Sequence, residues 1–166
     1  MIKTNVLAAL NKQIQHEQSN AHAYLSVSLY FGGLNLHGLE AFMAQQVKDE
    51  IEHATRFIEH VTERTGQVEL GAIAAPKNMF RSPLEAIKHV RELERHTTET
   101  IHRLCELARK ESDWALEVAL QWFVNEQVEE EQWAEELTAL MEQFGENPGQ
   151  LFMLDHQWGK RVKKAE

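Results

Sequence analysis

At 166 residues the chain is long enough for one domain with an apolar core. A hydrophobic share of 43% with 26% charged residues excludes an intrinsically disordered chain, and a formal net charge of −9 argues against nucleic acid and anionic membranes as partners. Only three prolines and eight glycines punctuate a strong 3.6-residue periodicity, so the chain reads as all-α.

The pattern predicts five helices, at about 5–32, 36–65, 83–111, 114–144 and 148–160. The first follows directly on Met1-Ile2-Lys3-Thr4-Asn5 and is expected to end at Gly32-Gly33. No apolar run of signal-peptide or membrane-spanning length occurs, so a cytoplasmic protein is expected. The second helix is followed by a segment at about 67–82 that is too long for a hairpin turn. Ser82-Pro83-x-Glu85 opens the third with a cap, a first-turn proline and a capping-box glutamate. The single cysteine, Cys105, lies between Leu104 and Leu107 and reads as a small core residue; alone it can neither form a disulfide within the chain nor build a thiolate metal site. Ser112-Asp113 caps the fourth helix, and Asn147-Pro148-x-Gln150 opens the fifth. That last helix carries Leu151, Phe152, Leu154 and Trp158, and a lone bundle offers it little to pack against, so packing in an oligomer is expected.

A helix of ~28 residues is ~42 Å long. About sixteen extended residues reach ~50 Å. The 67–82 segment can therefore run the whole length of the bundle, giving two antiparallel helix pairs joined by one long crossover.

Each long helix carries a carboxylate in its apolar stripe: Glu17, Glu50, Glu94 and Glu130. They lie within about three residues of the helix midpoints, the one level that helices running up and down a bundle share, so they converge. One such Glu reads as a solvated stripe-edge residue. Four at matched depth do not, because burying them without an opposite charge costs several kcal/mol each. His53 follows Glu50 by three residues, placing an oxygen and a nitrogen donor side by side. Four negative charges match two divalent cations, and carboxylates with one imidazole and no thiolate suit iron or manganese.

With Tyr24, Glu50-Ile51-Glu52-His53, Trp122 and Asn125-Glu126-Gln127-Val128-Glu129-Glu130-Glu131, these residues resemble the bacterial non-haem ferritins along almost the whole chain. The resemblance implies a ferritin-like four-helix bundle, 1–166, with a short fifth helix. It implies that Glu17, Glu50 and His53 hold one iron, with Glu50 bridging, and that Glu94 and Glu130 hold the second with Gln127 close by. Glu126, Glu129 and Glu130 would supply a third iron site, where Asp49 stands in place of the family's usual Glu. Tyr24 would act beside the metals as electron donor or hydrogen-bond partner. Most di-iron carboxylate proteins have a second Glu-x-x-His, but here Trp133 follows Glu130 by three residues. Ile51 replaces the haem-ligating Met of bacterioferritins, so no haem is expected.

The implied activity is ferroxidation: Fe²⁺ is oxidised by O₂ or H₂O₂ and deposited as ferric mineral in a shell of 24 subunits. Two other classes compete with it. One is a rubrerythrin-like peroxidase that retains its metals, disfavoured by the absent second Glu-x-x-His and absent Cys pairs. The other is a non-catalytic acidic bundle serving as an interaction module.

Overall fold

The computed structural model describes residues 1–165, with side chains described through residue 162. It contains five helices and, among the described residues, no strand: α1 Thr4–Gly33, α2 His37–Glu63, α3 Pro83–Lys110, α4 Trp114–Phe144 and α5 Pro148–Ala165. None is long and apolar enough to cross a membrane among the described residues. α5 is a turn or more longer than its sequence pattern predicts.

The capping chemistry is local and mostly as the sequence encodes it. Glu85 N–H donates to Ser82 Oγ at 3.2 Å, Leu116 N–H to Asp113 Oδ1 at 3.1 Å, and Gly149 and Gln150 N–H to Asn147 Oδ1 at 3.0 and 3.2 Å. The Glu85 carboxylate turns back one residue further than a capping box requires and accepts from Arg81 N–H at 2.7 Å.

Helix ends depart from the glycine expectation. Gly32 and Gly33 both stay inside α1, and Asn35 takes the left-handed conformation instead, at φ 58°. Leu36 N–H reaches Phe31 O and Asn35 N–H reaches Gly32 O, each at 3.0 Å, which is a Schellman closure. The same two-bond pattern closes α2 around Thr65 (φ 59°) and α3 around Ser112 (φ 54°). Gly32 serves close approach rather than termination: a Cβ there would stand 2.6 Å from Glu40 Oε1.

Neighbouring helices run antiparallel. Lys3 Nζ donates to the Glu111 carbonyl at 2.8 Å, setting the start of α1 against the end of α3. Arg64 pairs with Asp113 at 2.8 Å, and Phe57 stacks on Phe123 at 4.0 Å, setting α2 against α4. α2 and α3 are therefore parallel, which forces a crossover along the bundle. That segment follows α1: Asn11 Nδ2 donates to Gln67 O at 3.3 Å, Gln15 Nε2 to Ala72 O at 2.6 Å and Ser26 Oγ to Lys77 O at 2.8 Å, and Phe80 packs on Tyr30 at 5.2 Å.

The core divides in two. One cluster includes Tyr24, Phe31, Leu39, Met43, Ile87, Trp133, Leu137 and Trp158; the other includes Leu10, Ile14, Phe57, Ile101, Leu104, Leu116 and Phe123. Cys105 is half-buried at the edge of the second.

α5 corrects the expectation that it needs an oligomer to pack against. Leu154 is 5% exposed and Trp158 fully buried, the latter edge-on to Phe42 at 4.8 Å. The start of α2 has no side-chain cap of its own, and Asp155 Oδ1 of α5 accepts Leu39 N–H there at 2.8 Å. Gly38 and Gly159 make this seat possible. A Cβ on Gly38 would collide with the Asp155 carbonyl, and one on Gly159 would lie 2.8 Å from Gly38 Cα. Phe152 and Met153 remain exposed on the outer side. The missing cue was that this seat is made of residues over a hundred positions apart in the chain.

Asp155→Ala removes the cap and is expected to lower stability by about 1–2 kcal/mol in urea unfolding. Gly38→Ala is expected to unseat α5 while α1–α4 hold, read as loss of amide-exchange protection confined to α5 and the first turn of α2.

Candidate metal centre

Between the two apolar clusters lies a polar layer built from the middle turn of each long helix. Glu17 is fully buried, and Glu50, His53, Glu94, Gln127 and Glu130 are all under a tenth exposed. Helical periodicity alone turns them inward, because each occupies a stripe position flanked by core residues one turn away.

Glu17, Glu50 and His53 come together most tightly. Their donor atoms all lie within 4.8 Å of one another, the one such trio of His, Cys, Asp or Glu among the described residues. Glu17 Oε1 accepts from Gln13 Nε2 at 2.7 Å. Glu17 Oε2 and Glu50 Oε2 are buried with no hydrogen-bond partner. His53 Nδ1 stands 3.7 Å from Glu50 Oε2. Two buried, unpartnered carboxyl oxygens beside an imidazole form a donor set that a divalent cation would satisfy once it displaces their protons. Trp122, half-buried, packs edge-on against the His53 ring at 5.5 Å, and the Arg56 guanidinium covers Trp122 at 3.9 Å.

Glu94 and Glu130 are held differently. Tyr24 donates its hydroxyl to Glu94 Oε1, and Gln127 Nε2 donates to Glu94 Oε2 at 3.2 Å and to its carbonyl at 3.3 Å. Trp133 Nε1 donates to Glu130 Oε2 at 2.5 Å. Neither carboxylate joins the tight trio.

The electrostatics record the crowding. Burial, then Glu50, pushes the Glu17 carboxyl well above its usual range; burial, then Glu94, does the same to Glu50 and to Glu130. Glu94 is raised by burial against the opposing pull of Tyr24 and Gln127. Burial and the surrounding carboxylates, Glu94 first, raise the Tyr24 phenol, which stays protonated as a donor.

Asp49, Glu126 and Glu129 do not form a comparable trio. Asp49 is half-buried and occupied by Gln45 at 2.9 Å and Gln46 at 3.3 Å. Its carboxyl and that of Glu126 are raised, chiefly by burial. Glu129 is exposed.

Two residues escaped the sequence reading. Gln13 sits one turn before Glu17, a spacing that could have flagged it, but a lone Gln reads as solvated. Trp133 reads in the sequence as the absence of a histidine; its i,i+3 spacing from Glu130 places the indole beside the carboxylate, the signal for its role as donor.

Residues 7–144 match the ferritin-like domain family. The chain is 34% identical over 166 residues, the full length of both chains, to a bacterial non-heme ferritin of Staphylococcus aureus (strain USA300), and 32% identical over 161 residues, 97% of each chain, to one of Staphylococcus haemolyticus. Among solved structures it resembles an open-pore ferritin from the hyperthermophilic archaeon Archaeoglobus fulgidus, with a TM-score of 0.94 and 38% identity over 96% of this chain and 98% of that one. An engineered closed form of the same archaeal ferritin gives a TM-score of 0.93 at 38% identity, over 96% of this chain and 97% of that one. Family match, full-length relatives and bundle architecture agree: the chain belongs to the ferritin family.

Proposed function

We propose that this chain is the subunit of an iron-storage protein that oxidises Fe²⁺ at the polar layer and passes Fe³⁺ to an enclosed mineral. The observation that carries the reading is the pair of buried, unpartnered oxygens of Glu17 and Glu50 beside His53. In this reading Glu17, Glu50 and His53 receive one Fe²⁺, and Glu94 and Glu130 the other, with Glu50 between them and Gln127 steadying Glu94. Asp49, Glu126 and Glu129 line a third position.

Two Fe²⁺ give two electrons to O₂, which with two protons becomes H₂O₂; with H₂O₂ as oxidant, the two electrons and two protons yield two waters. The buried carboxylates neutralise the incoming charge and favour the more highly charged product ion. Tyr24, protonated and bonded to Glu94, is placed to supply a proton or an electron at that carboxylate. Iron is cargo here, and a single bundle encloses no volume for mineral, so the function requires a closed assembly of many copies. A shell of 24 chains acting in the cytoplasm, with 1–166 as one domain, is the form we assign.

Anaerobic Fe²⁺ titration of the iron-free protein is expected to saturate at two or three tight sites per chain, followed by rapid O₂ consumption. Glu50→Ala is expected to abolish the fast phase, and a mutant rate equal to wild type would refute the site.

Size-exclusion chromatography with light scattering is expected to give a particle of about half a megadalton, 24 chains of 19.2 kDa each. A monomer would remove the storage reading.

The raised carboxyls also fix a pH dependence of the metal-free protein. Glu17, Glu50 and Glu130 hold protons in the folded state at pH values where the unfolded chain has lost them. Their stabilising contribution is complete below the unfolded value of 4.5 and is lost as pH rises through the folded values. As pH rises above 4.5 the unfolding free energy of the metal-free protein, measured in urea, is expected to fall by up to about 1.4 kcal/mol per pH unit for each proton held. Glu50→Gln should flatten the slope, and Zn²⁺ should restore wild type more strongly at the alkaline end of the slope than at its acid end.

A further inference from the structure

Glu130 is the carboxylate of the layer with one oxygen committed to an indole. Trp133 Nε1 donates to its Oε2 at 2.5 Å. Trp133 stands one helical turn after Glu130, where a histidine would complete a second Glu-x-x-His. The indole is wedged in place. It packs edge-on to Phe42 at 5.0 Å and to Trp158 at 6.2 Å, and lies tilted against Tyr24 at 6.5 Å. Trp158 is fully buried and belongs to α5, whose seat on α2 is fixed by Asp155 and Gly38. A continuous run of aromatic contacts therefore links α5 to one oxygen of Glu130.

A carboxylate free at both oxygens can chelate a cation, whereas one that accepts a short N–H bond at one oxygen offers the other alone, with less negative charge on it. Resting on the iron-centre reading above, we propose that Trp133 is the positioning residue that keeps the second metal position exchangeable. By holding Glu130 Oε2 it restricts Glu130 to one oxygen, and by filling the histidine position it denies that ion an imidazole. The ion at Glu94 and Glu130 then leaves more readily than the ion at Glu17, Glu50 and His53. Storage depends on this difference, since an ion that stays blocks the next turnover.

The test is anaerobic calorimetric titration of the assembled protein with Zn²⁺, which does not change oxidation state. Wild type should show a tight step and a weaker one. Trp133→Phe keeps the ring and removes the donor; Trp133→His supplies the missing ligand. Both are expected to tighten the second step about tenfold or more while leaving the first unchanged, Trp133→Phe by freeing Glu130 Oε2 and Trp133→His by adding a donor. Trp158→Phe should move the second step in the same direction by less. After one aerobic turnover with two Fe²⁺ per chain, Trp133→His should retain Fe³⁺ at the centre, while wild type clears it and accepts a second pair. Second steps equal to wild type in both Trp133 variants overturn the proposal, as do equal shifts of both steps, which would mark a general loosening of the bundle. Should Trp133→Phe lose its helical circular dichroism, Trp133→His and Trp158→Phe decide by the same criteria. A wild type that binds no Zn²⁺ tightly refutes the iron-centre reading itself, and the proposal falls with it.

Discussion

The structure is organised around an electrostatic conflict at its midpoint. A four-helix bundle is stabilised by a continuous apolar seam, yet this one interrupts the seam on all four helices at the same height and fills the gap with carboxylates. The core is consequently two cores, one on each side of a charged layer. Each half is packed with large aromatic and aliphatic side chains, and that packing holds the layer closed against like-charge repulsion. The protein meets the repulsion with protons, with donors from Gln13, Tyr24, Gln127 and Trp133, and, at the two oxygens left without a donor, with room for a cation.

The layer is also uneven. Its Glu17–Glu50–His53 side has free oxygens and an imidazole braced by Trp122; its Glu94–Glu130 side has oxygens already engaged by a phenol, an amide and an indole. A resident cofactor gains from symmetric, saturated ligation. A centre that must give up its product gains from one strong and one weak position, and the side whose oxygens are already engaged is the one in contact with α5 through Trp133 and Trp158.

How much of this the sequence carries depends on range. Stripe carboxylates at helix midpoints, Glu-x-x-His and the length of the crossover are written in spacing, because helical geometry converts spacing directly into direction and reach. The Ser82, Asp113 and Asn147 caps are equally local. The glycine ending expected for α1 is not used, because Asn35 adopts the left-handed conformation that glycine adopts most cheaply, as Thr65 and Ser112 do after α2 and α3. The seat of α5 is invisible for a different reason: it depends on where a side chain from one helix ends relative to another, whereas the bond from Trp133 to Glu130 lies within α4 at a spacing of three. Gly38 and Gly159 look like weak points of their helices until the two backbones are seen touching.

The antiparallel pairing has a consequence for how the chain acquires its shape. α1 with α2, and α3 with α4, are hairpins of neighbouring elements that can form early from local contacts. Neither hairpin alone contains the full charged layer: the first contributes Glu17, Glu50 and His53, the second Glu94 and Glu130. The repulsion between Glu50 and Glu94 thus arises only when the halves dock, after the crossover has been drawn along α1 and its closure entropy spent. Docking is therefore a step that protons and cations favour, because either lowers the charge that Glu50 and Glu94 bring together.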